Sequence, residues 1–408
     1  MRRKLPLLVM MLVVLVAVTP VLASRVAQEE GVVTFAAGDS VKIGLATDLS
    51  NLIPAPGQDI ANGAQLAVDE FNEAGGLQGF TVELVVEDDR CVGEDATSVA
   101  NLFVSDPHIV GVVGHVCSGA SIPASEVYQE ARIPMVSPSS TAGAFTARGL
   151  DVANRVAFND NIQGVVAARF IFSELGAQRI AVLHDNTSYG EGLASTVAAT
   201  FEELGGEVIT FEVVDPEEQD FRPVLTVLAG QEPDLIYLGG YEAQAALIVQ
   251  QMAEVGLEDT IFFSDDGVYT ATYLELAGDA SEGTYVTFGA QVGDPEANEA
   301  FDERYEEKFG VAPDELGPFH AQAYDAATVI LKALEAVATV DDAGNLSVDR
   351  EALIEAVRTT EDLEGLSGLI TCDENGDCGS ATIAVFVAEG GEWVEVEVPE
   401  ELQVSSES

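Results

Sequence analysis

Positive charge is scarce along this 408-residue chain. Lys and Arg number 17 against 70 Asp and Glu, and lysine occurs only as Lys4, Lys42, Lys308 and Lys332. The net charge of −53 repels phosphate backbones and anionic lipid, which argues against nucleic acid and acidic membrane surfaces as partners. Catalytic signatures are equally thin. There is no phosphate-cradling G-x-x-x-x-G-K-[ST] loop, no G-x-G-x-x-G after the first strand and no G-x-S-x-G nucleophile elbow. His108, His115, His184 and His320 lack metal-ligand spacing among themselves or with the cysteines. His115 stands two residues ahead of Cys117, as a base stands near a thiol nucleophile. In an exported chain with Cys91 at hand, a disulfide is the stronger reading. No catalytic residue, metal or cofactor is expected.

Long apolar runs are missing past Ala23, so no later stretch can span a bilayer as a helix. The run before that point has the form of an export signal. Arg2-Arg3-Lys4 supplies the positive start, residues 5–18 the apolar core, and Val21-Leu22-Ala23 the cleavage site. Residues 1–23 are read as a signal peptide, with a retained anchor as the competing reading. No Cys follows the cut to take up lipid. Export sets the four cysteines in an oxidising compartment, where an even count favours two disulfides. Cys91 with Cys117 and Cys372 with Cys378 are the natural pairs.

What is present is a regular alternation. With 47% apolar residues the chain folds, and its length suits two domains. Residues 24–40 form a polar lead-in. Residues 41–46 then read as a strand, and Ile60, Ala64, Ala67, Val68 and Phe71 as the apolar stripe of a helix ending at Gly75-Gly76. Val82, Leu84 and Val86 alternate as a half-exposed strand, and Ala96, Val99, Ala100 and Phe103 mark the next helix. After Arg155 the series restarts, with strands near 179–184, 207–214, 234–239 and 260–263 and helices between them. Two such series predict an α/β fold of two doubly wound, largely parallel sheets.

The stretch from Cys91 to Thr141 carries the candidate site. A buried strand, Gly111 to Val116, closes into Cys117-Ser118-Gly119-Ala120-Ser121, and the strand at 133–136 runs into Ser137-Pro138-Ser139-Ser140-Thr141. Ligands of open α/β sheets sit beyond the carboxyl ends of the strands. A hydroxyl beside free N–H groups at a helix start receives a small carboxylate well. Simple helix capping by Ser118 and Thr141 is the alternative.

The last third is mostly helical, at 296–309, 319–338 and 349–359, and then turns into a hairpin and a strand ending near Val398. Helices so late most simply pad sheets already built, so the chain crosses between lobes more than once. Glu374-Asn375-Gly376, with Gly in the left-handed position, would set Cys372 opposite Cys378. A calcium loop from Asp373, Asn375 and Asp377 is a weak rival, because Gly is missing from its sixth position.

Blocks spread over the chain resemble the leucine/isoleucine/valine-binding proteins, the type I periplasmic binding proteins of ABC importers. They include Gly63-Ala64-Gln65-Leu66-Ala67-Val68, Glu87-Asp88-Asp89-Arg90-Cys91, Gly114-His115-Val116-Cys117-Ser118, Thr146-Ala147-Arg148-Gly149, Tyr189-Gly190-Glu191-Gly192-Leu193-Ala194 and Gly239-Gly240-Tyr241. The resemblance runs from Val41 to about Trp393. It implies two lobes joined by a three-segment hinge and closing like a clamshell. Together with the restart after Arg155 it suggests one lobe from residues 41–158 plus 288–380, and another from 159–287 plus 381–400.

The resemblance also implies site roles. Ser118 stands at the serine that holds a ligand carboxylate, Thr141 at the threonine that binds through N–H and hydroxyl, and Ser139 at the carbonyl facing the α-ammonium. Tyr189 and Tyr241 match the closing tyrosines, for which lobe packing is the plainer role. Asp266 matches the ammonium-binding acid, with Asp265 as its rival. Pro56 stands where some members carry an aromatic wall, which suggests a wider pocket and a broad hydrophobic amino-acid range. The implied function is capture of a branched-chain or other hydrophobic amino acid outside the cytoplasm, for delivery to the membrane permease subunits of an ABC importer. An amide or aromatic-acid receptor and a ligand sensor on the same scaffold are the alternatives.

Overall fold

The computed structural model describes residues 31–216 and 218–404. The signal peptide read over residues 1–23, and the lead-in as far as residue 30, lie outside them. Two sheets organise the chain. The first has five parallel strands in the spatial order Val82–Asp88, Val41–Thr47, Ile109–Gly114, Met135–Ser137, Ala153–Arg155. The second has seven, running Glu392–Val396, Ile383–Glu389, Tyr285–Gly289, Ile261–Ser264, Leu235–Gly239, Arg179–His184, Glu207–Val213. Its strands are parallel except for the Ile383–Glu389 and Glu392–Val396 pair, which closes one edge antiparallel. Helices on both faces explain the residue pattern. Central strands such as Ile109–Gly114 and Leu235–Gly239 are buried throughout, whereas the edge strand Glu207–Val213 is not.

The chain passes between the two sheets three times: after Arg155, after Gly289, and before Ile383. This is the crossing pattern of a two-lobed fold with a multi-segment hinge. The junction expected at 287/288 falls inside the Tyr285–Gly289 strand, so the second crossing comes two residues later. The late helices Pro295–Phe309, His320–Val337 and Arg350–Arg358 pad the first lobe, with His320–Val337 lying along the long Pro54–Glu73 helix.

Two local features depart from the sequence reading. Part of the lead-in is ordered: Val32–Phe35 pairs antiparallel with Leu346–Asp349, and Val33 and Phe35 enter the core. The short apolar run Val32-Val33-Thr34-Phe35 is the one local signal for it in that stretch. The final strand is instead a hairpin, because Gly390 and Gly391 both have positive φ and reverse the chain.

Both disulfides form as paired in the sequence, Cys91–Cys117 and Cys372–Cys378. Gly376 has φ 97°, and the Asp373 N–H donates to the Asp377 carbonyl at 2.9 Å across the turn. The side chains of the calcium-loop rival are spent on protein donors. One Asp373 oxygen accepts three backbone N–H groups, from Asn375, Gly376 and Asp377. The Asp377 carboxylate accepts from Arg155, Thr146 and Asn159.

Candidate functional site

In each sheet the strand order reverses between a pair of neighbours. In the first these are Val41–Thr47 and Ile109–Gly114; in the second, Arg179–His184 and Leu235–Gly239. Loops diverge at such a switch point and leave a crevice beyond the strand ends. All four loops contribute to one narrow cavity between the lobes.

The first lobe supplies an apolar wall and a hydroxyl-rich corner. Ile53 and Pro56 come from the loop and helix start after the first strand. That loop is wound around the buried Asp48 carboxylate, which accepts the N–H groups of Ser50, Asn51, Leu52 and Ile53 at 2.6–3.1 Å. Val116, Cys117 and Ser118 line the next side, with Ser118 opening the helix Ser118–Ala131. The strand end behind them is fixed by His115, whose ring joins the Asp89 carboxylate at 2.6 Å and the Tyr128 hydroxyl at 2.9 Å. His115 is thus committed to structure, and Cys117 to its disulfide. Ser139 completes the corner, its hydroxyl donating to the Val116 carbonyl at 3.0 Å.

The second lobe supplies the acid and the tyrosines. Tyr189, Tyr241, Asp266, Gly267 and Thr270 line its side. The tyrosine rings lie 5.3 Å apart because their loops touch backbone to backbone: a Cβ on Gly190 would come within 2.4 Å of the Gly239 carbonyl. Only glycine allows that approach. The Tyr189 hydroxyl donates to Asp266 Oδ1 at 2.8 Å and accepts from the Gly267 N–H at 2.9 Å, while Gln163 Nε2 also donates to Asp266 Oδ1. Burial raises the Asp266 carboxyl to about 6, with the Gln163 and Tyr189 hydrogen bonds opposing it.

Among the residues read from the sequence, Ser118, Ser139, Tyr189, Tyr241 and Asp266 meet at the cavity wall. Its rival Asp265 does not reach the wall; its Oδ2 accepts the Gly240 N–H at 3.0 Å. Thr141 stands behind the lining. Its carbonyl is drawn inward by Arg155 at 2.6 Å, and its buried hydroxyl faces the Asp160 carboxyl without full hydrogen-bond geometry. Pro56 does line the cavity, but the space beside it is not open. Phe319, stacked edge-on against Phe288 at 5.1 Å, supplies an aromatic wall from a different part of the chain.

A family model described as a periplasmic binding protein matches residues 40–392. The chain belongs to the periplasmic binding protein family. The leucine-, isoleucine-, valine-, threonine- and alanine-binding protein of Pseudomonas aeruginosa is 34% identical over 350 residues, covering 86% of this chain and 90% of that one. The Leu/Ile/Val-binding protein of Escherichia coli is 31% identical, over 86% and 91% of the two chains. A leucine-binding protein from Thermotoga maritima superposes with a TM-score of 0.78 at 31% identity, covering 88% of this chain and 99% of that one. A branched-chain amino-acid transporter substrate-binding protein from Streptococcus pneumoniae, in complex with isoleucine, gives 0.76 at 27%, covering 88% and 100%.

Several organising residues of this periplasmic binding protein escaped the sequence reading. Arg155 is fully buried and donates to the Ser140, Thr141 and Ala142 carbonyls at 2.6–3.0 Å as well as to Asp377. A signal for it existed. An Arg inside Val152-Ala153-Asn154-Arg155-Val156-Ala157-Phe158 has to find buried partners. Asp160 and Gln163 gave no such signal, since polar residues in the first turn of a helix usually serve its end, and Asp48 reads as an ordinary loop acid.

Proposed function

We propose that the cleft captures a branched-chain or other hydrophobic α-amino acid, and that the protein delivers it to the membrane permease subunits of an ABC importer outside the cytoplasm. The observation that carries this reading is Asp266 on the cavity wall, across from Ser118 and Ser139, with Ile53, Pro56, Val116 and Phe319 around the remaining space. A buried carboxylate needs a cation, and a ligand ammonium meets that need. In the proposed pose Ser118 holds the ligand carboxylate, assisted by Thr141, and the Ser139 carbonyl accepts from the ammonium. Tyr189 and Tyr241 close over the ligand from the second lobe, and the apolar wall receives the side chain.

The names of the relatives, binding proteins for leucine, isoleucine and valine, support the same ligand class. The role is binding, with no chemical step. The bodies that close on the ligand are residues 41–158 with 288–380 and residues 159–287 with 381–400, the junction shifted to follow Gly289. Closure that buries the ion pair away from water favours micromolar or better affinity, about −8 kcal/mol or stronger. A thermal-shift screen of the twenty amino acids, with simple carboxylates and amides, tests the assignment. Stabilisation by Leu, Ile, Val or Phe is expected. Failure of all four, with stabilisation by a ligand lacking an ammonium, would reject it.

A further inference from the structure

Pro56 and Phe319 face the same cavity from distant parts of the chain, and one buried carboxylate ties their segments together. Asp59 belongs to the helix Pro54–Glu73, one turn past Pro56, and is fully buried. Its Oδ1 accepts from the Tyr305 hydroxyl at 2.9 Å. Its Oδ2 accepts the Phe319 N–H at 3.1 Å and lies 3.3 Å from His320 Nδ1. The same His320 nitrogen is 3.1 Å from the Gly317 carbonyl. Phe319 is the N-cap of the helix His320–Val337 and has no side-chain cap of its own. Asp59 serves that helix end from another helix, with its negative charge at the favourable terminus.

Backbone contacts on either side make the join close. A Cβ on Gly63 would come within 2.3 Å of the His320 carbonyl, and one on Gly317 within 2.8 Å of Pro56 Cα. The start of the Pro54–Glu73 helix is held independently of this join. Thr47 Oγ1 donates to the Gly57 carbonyl at 2.9 Å, and the Asp48 carbonyl leaves no room for a Cβ on Gly57. Pro56 is therefore the fixed side, and Asp59 passes its position on to Phe319. Burial raises the Asp59 carboxyl, and the His320 imidazole opposes that rise before any other group. A carboxylate this deep needs such a partner.

We propose that Asp59, paired with His320, is a positioning residue for side-chain specificity: it fixes the gap between Pro56 and Phe319 and so favours leucine-sized side chains over aromatic ones. This rests on the hydrophobic amino-acid reading above. Asp59 does not line the cavity and acts only through the wall it holds. Phe319 already brings a ring into the space beside Pro56, so the remaining gap suits a side chain without a second ring. A misfit of one methylene in such an apolar gap is worth about tenfold in affinity.

Calorimetric titration with L-leucine and L-phenylalanine, read as the ratio of the two affinities, tests the proposal. Asp59→Ala leaves the Phe319 N–H without its acceptor, and the ratio should move toward phenylalanine by about tenfold. Asp59→Asn keeps an oxygen for that N–H, so the ratio should stay near wild type although the charge facing His320 is gone. Tyr305→Phe removes a donor from the same carboxylate and leaves the Phe319 bond in place. It should lower the melting temperature without moving the ratio. Gly317 has extended backbone, φ −178°, which alanine also adopts. In Gly317→Ala the added methyl presses the loop off Pro56, so the ratio should shift as in Asp59→Ala, and this variant decides if Asp59→Ala does not fold. An unchanged ratio in folded Asp59→Ala, or in Gly317→Ala, overturns the proposal. So does a ratio that simply follows the melting temperature through Tyr305→Phe and Asp59→Asn. A wild type that binds neither amino acid instead overturns the amino-acid reading, and the proposal falls with it.

Discussion

Arg155 and Asp377, 222 residues apart in sequence, meet with 2.7 Å between guanidinium Nε and carboxylate Oδ1. The contact joins the disulfide-closed hairpin to the loop at the ligand corner. The Arg155 N–H donates to the Gly376 carbonyl and the Cys378 N–H to the Arg155 carbonyl, both at 2.9 Å. On its other side the guanidinium gathers the carbonyls of residues 140–142. The second disulfide, far along the chain, thus bears on the loop carrying Ser139 and Thr141.

Arg155→Met should destabilise the protein by about 3 kcal/mol, the scale for breaking a buried pair on one side, read as a lower urea midpoint. Asp377→Asn should cost less, since that carboxylate is about a quarter exposed. Burial raises the Asp377 carboxyl, but Arg155, Asn159 and Thr146 outweigh it and leave it below the usual range. The sign follows: its contribution is complete above the unfolded value near 4 and is lost as pH falls through the lower folded value. Asp377→Asn should remove that part of the acid sensitivity.

His320 predicts the opposite slope at alkaline pH. Burial lowers this imidazole, but Asp59, with Asp314 and Asp302, outweighs burial and raises it to about 9. Asp59 also accepts the Phe319 N–H at 3.1 Å and the Tyr305 hydroxyl at 2.9 Å, so the pair anchors the aromatic wall. A raised folded value gives stability that is complete below about 6.5 and is lost as pH rises through about 9. The loss should be on the order of 3 kcal/mol, seen as a falling melting temperature between pH 7 and 10. His320→Gln should flatten that fall.

Phe319 sets the size of the pocket. Phe319→Ala should weaken L-leucine binding about ten- to a hundredfold, equivalent to about 1.4–2.8 kcal/mol. L-phenylalanine should gain relative to leucine, because the vacated space lies along the apolar wall. Calorimetric titration with both amino acids reads the ratio directly; an unchanged ratio would mean that Phe319 does not limit the side chain.

The two βα series and both disulfides were legible because their signals are local: period-two and period-3.6 apolar patterns, and paired cysteines in an exported chain. Tyr189, Tyr241 and Asp266 could be named only through the resemblance. The aromatic wall was not legible. Pro56 suggested an open pocket, whereas Phe319 reaches the same cavity from 263 positions further along, a distance no local pattern spans. Asp160 and Gln163 were hidden for a related reason. Their meaning comes from burial beside Asp266, and at a helix start they read as ordinary polar residues.

The account stands on Asp266 needing an ammonium. Calorimetric titration should be run on wild type and Asp266→Asn with L-leucine and with 4-methylpentanoate, the same skeleton without the amino group. L-leucine should bind the wild type at micromolar or lower concentration, 4-methylpentanoate should not bind, and Asp266→Asn should lose leucine by at least about a hundredfold, close to 3 kcal/mol. Equal binding of the two compounds by the wild type, or leucine binding untouched in Asp266→Asn, would contradict it.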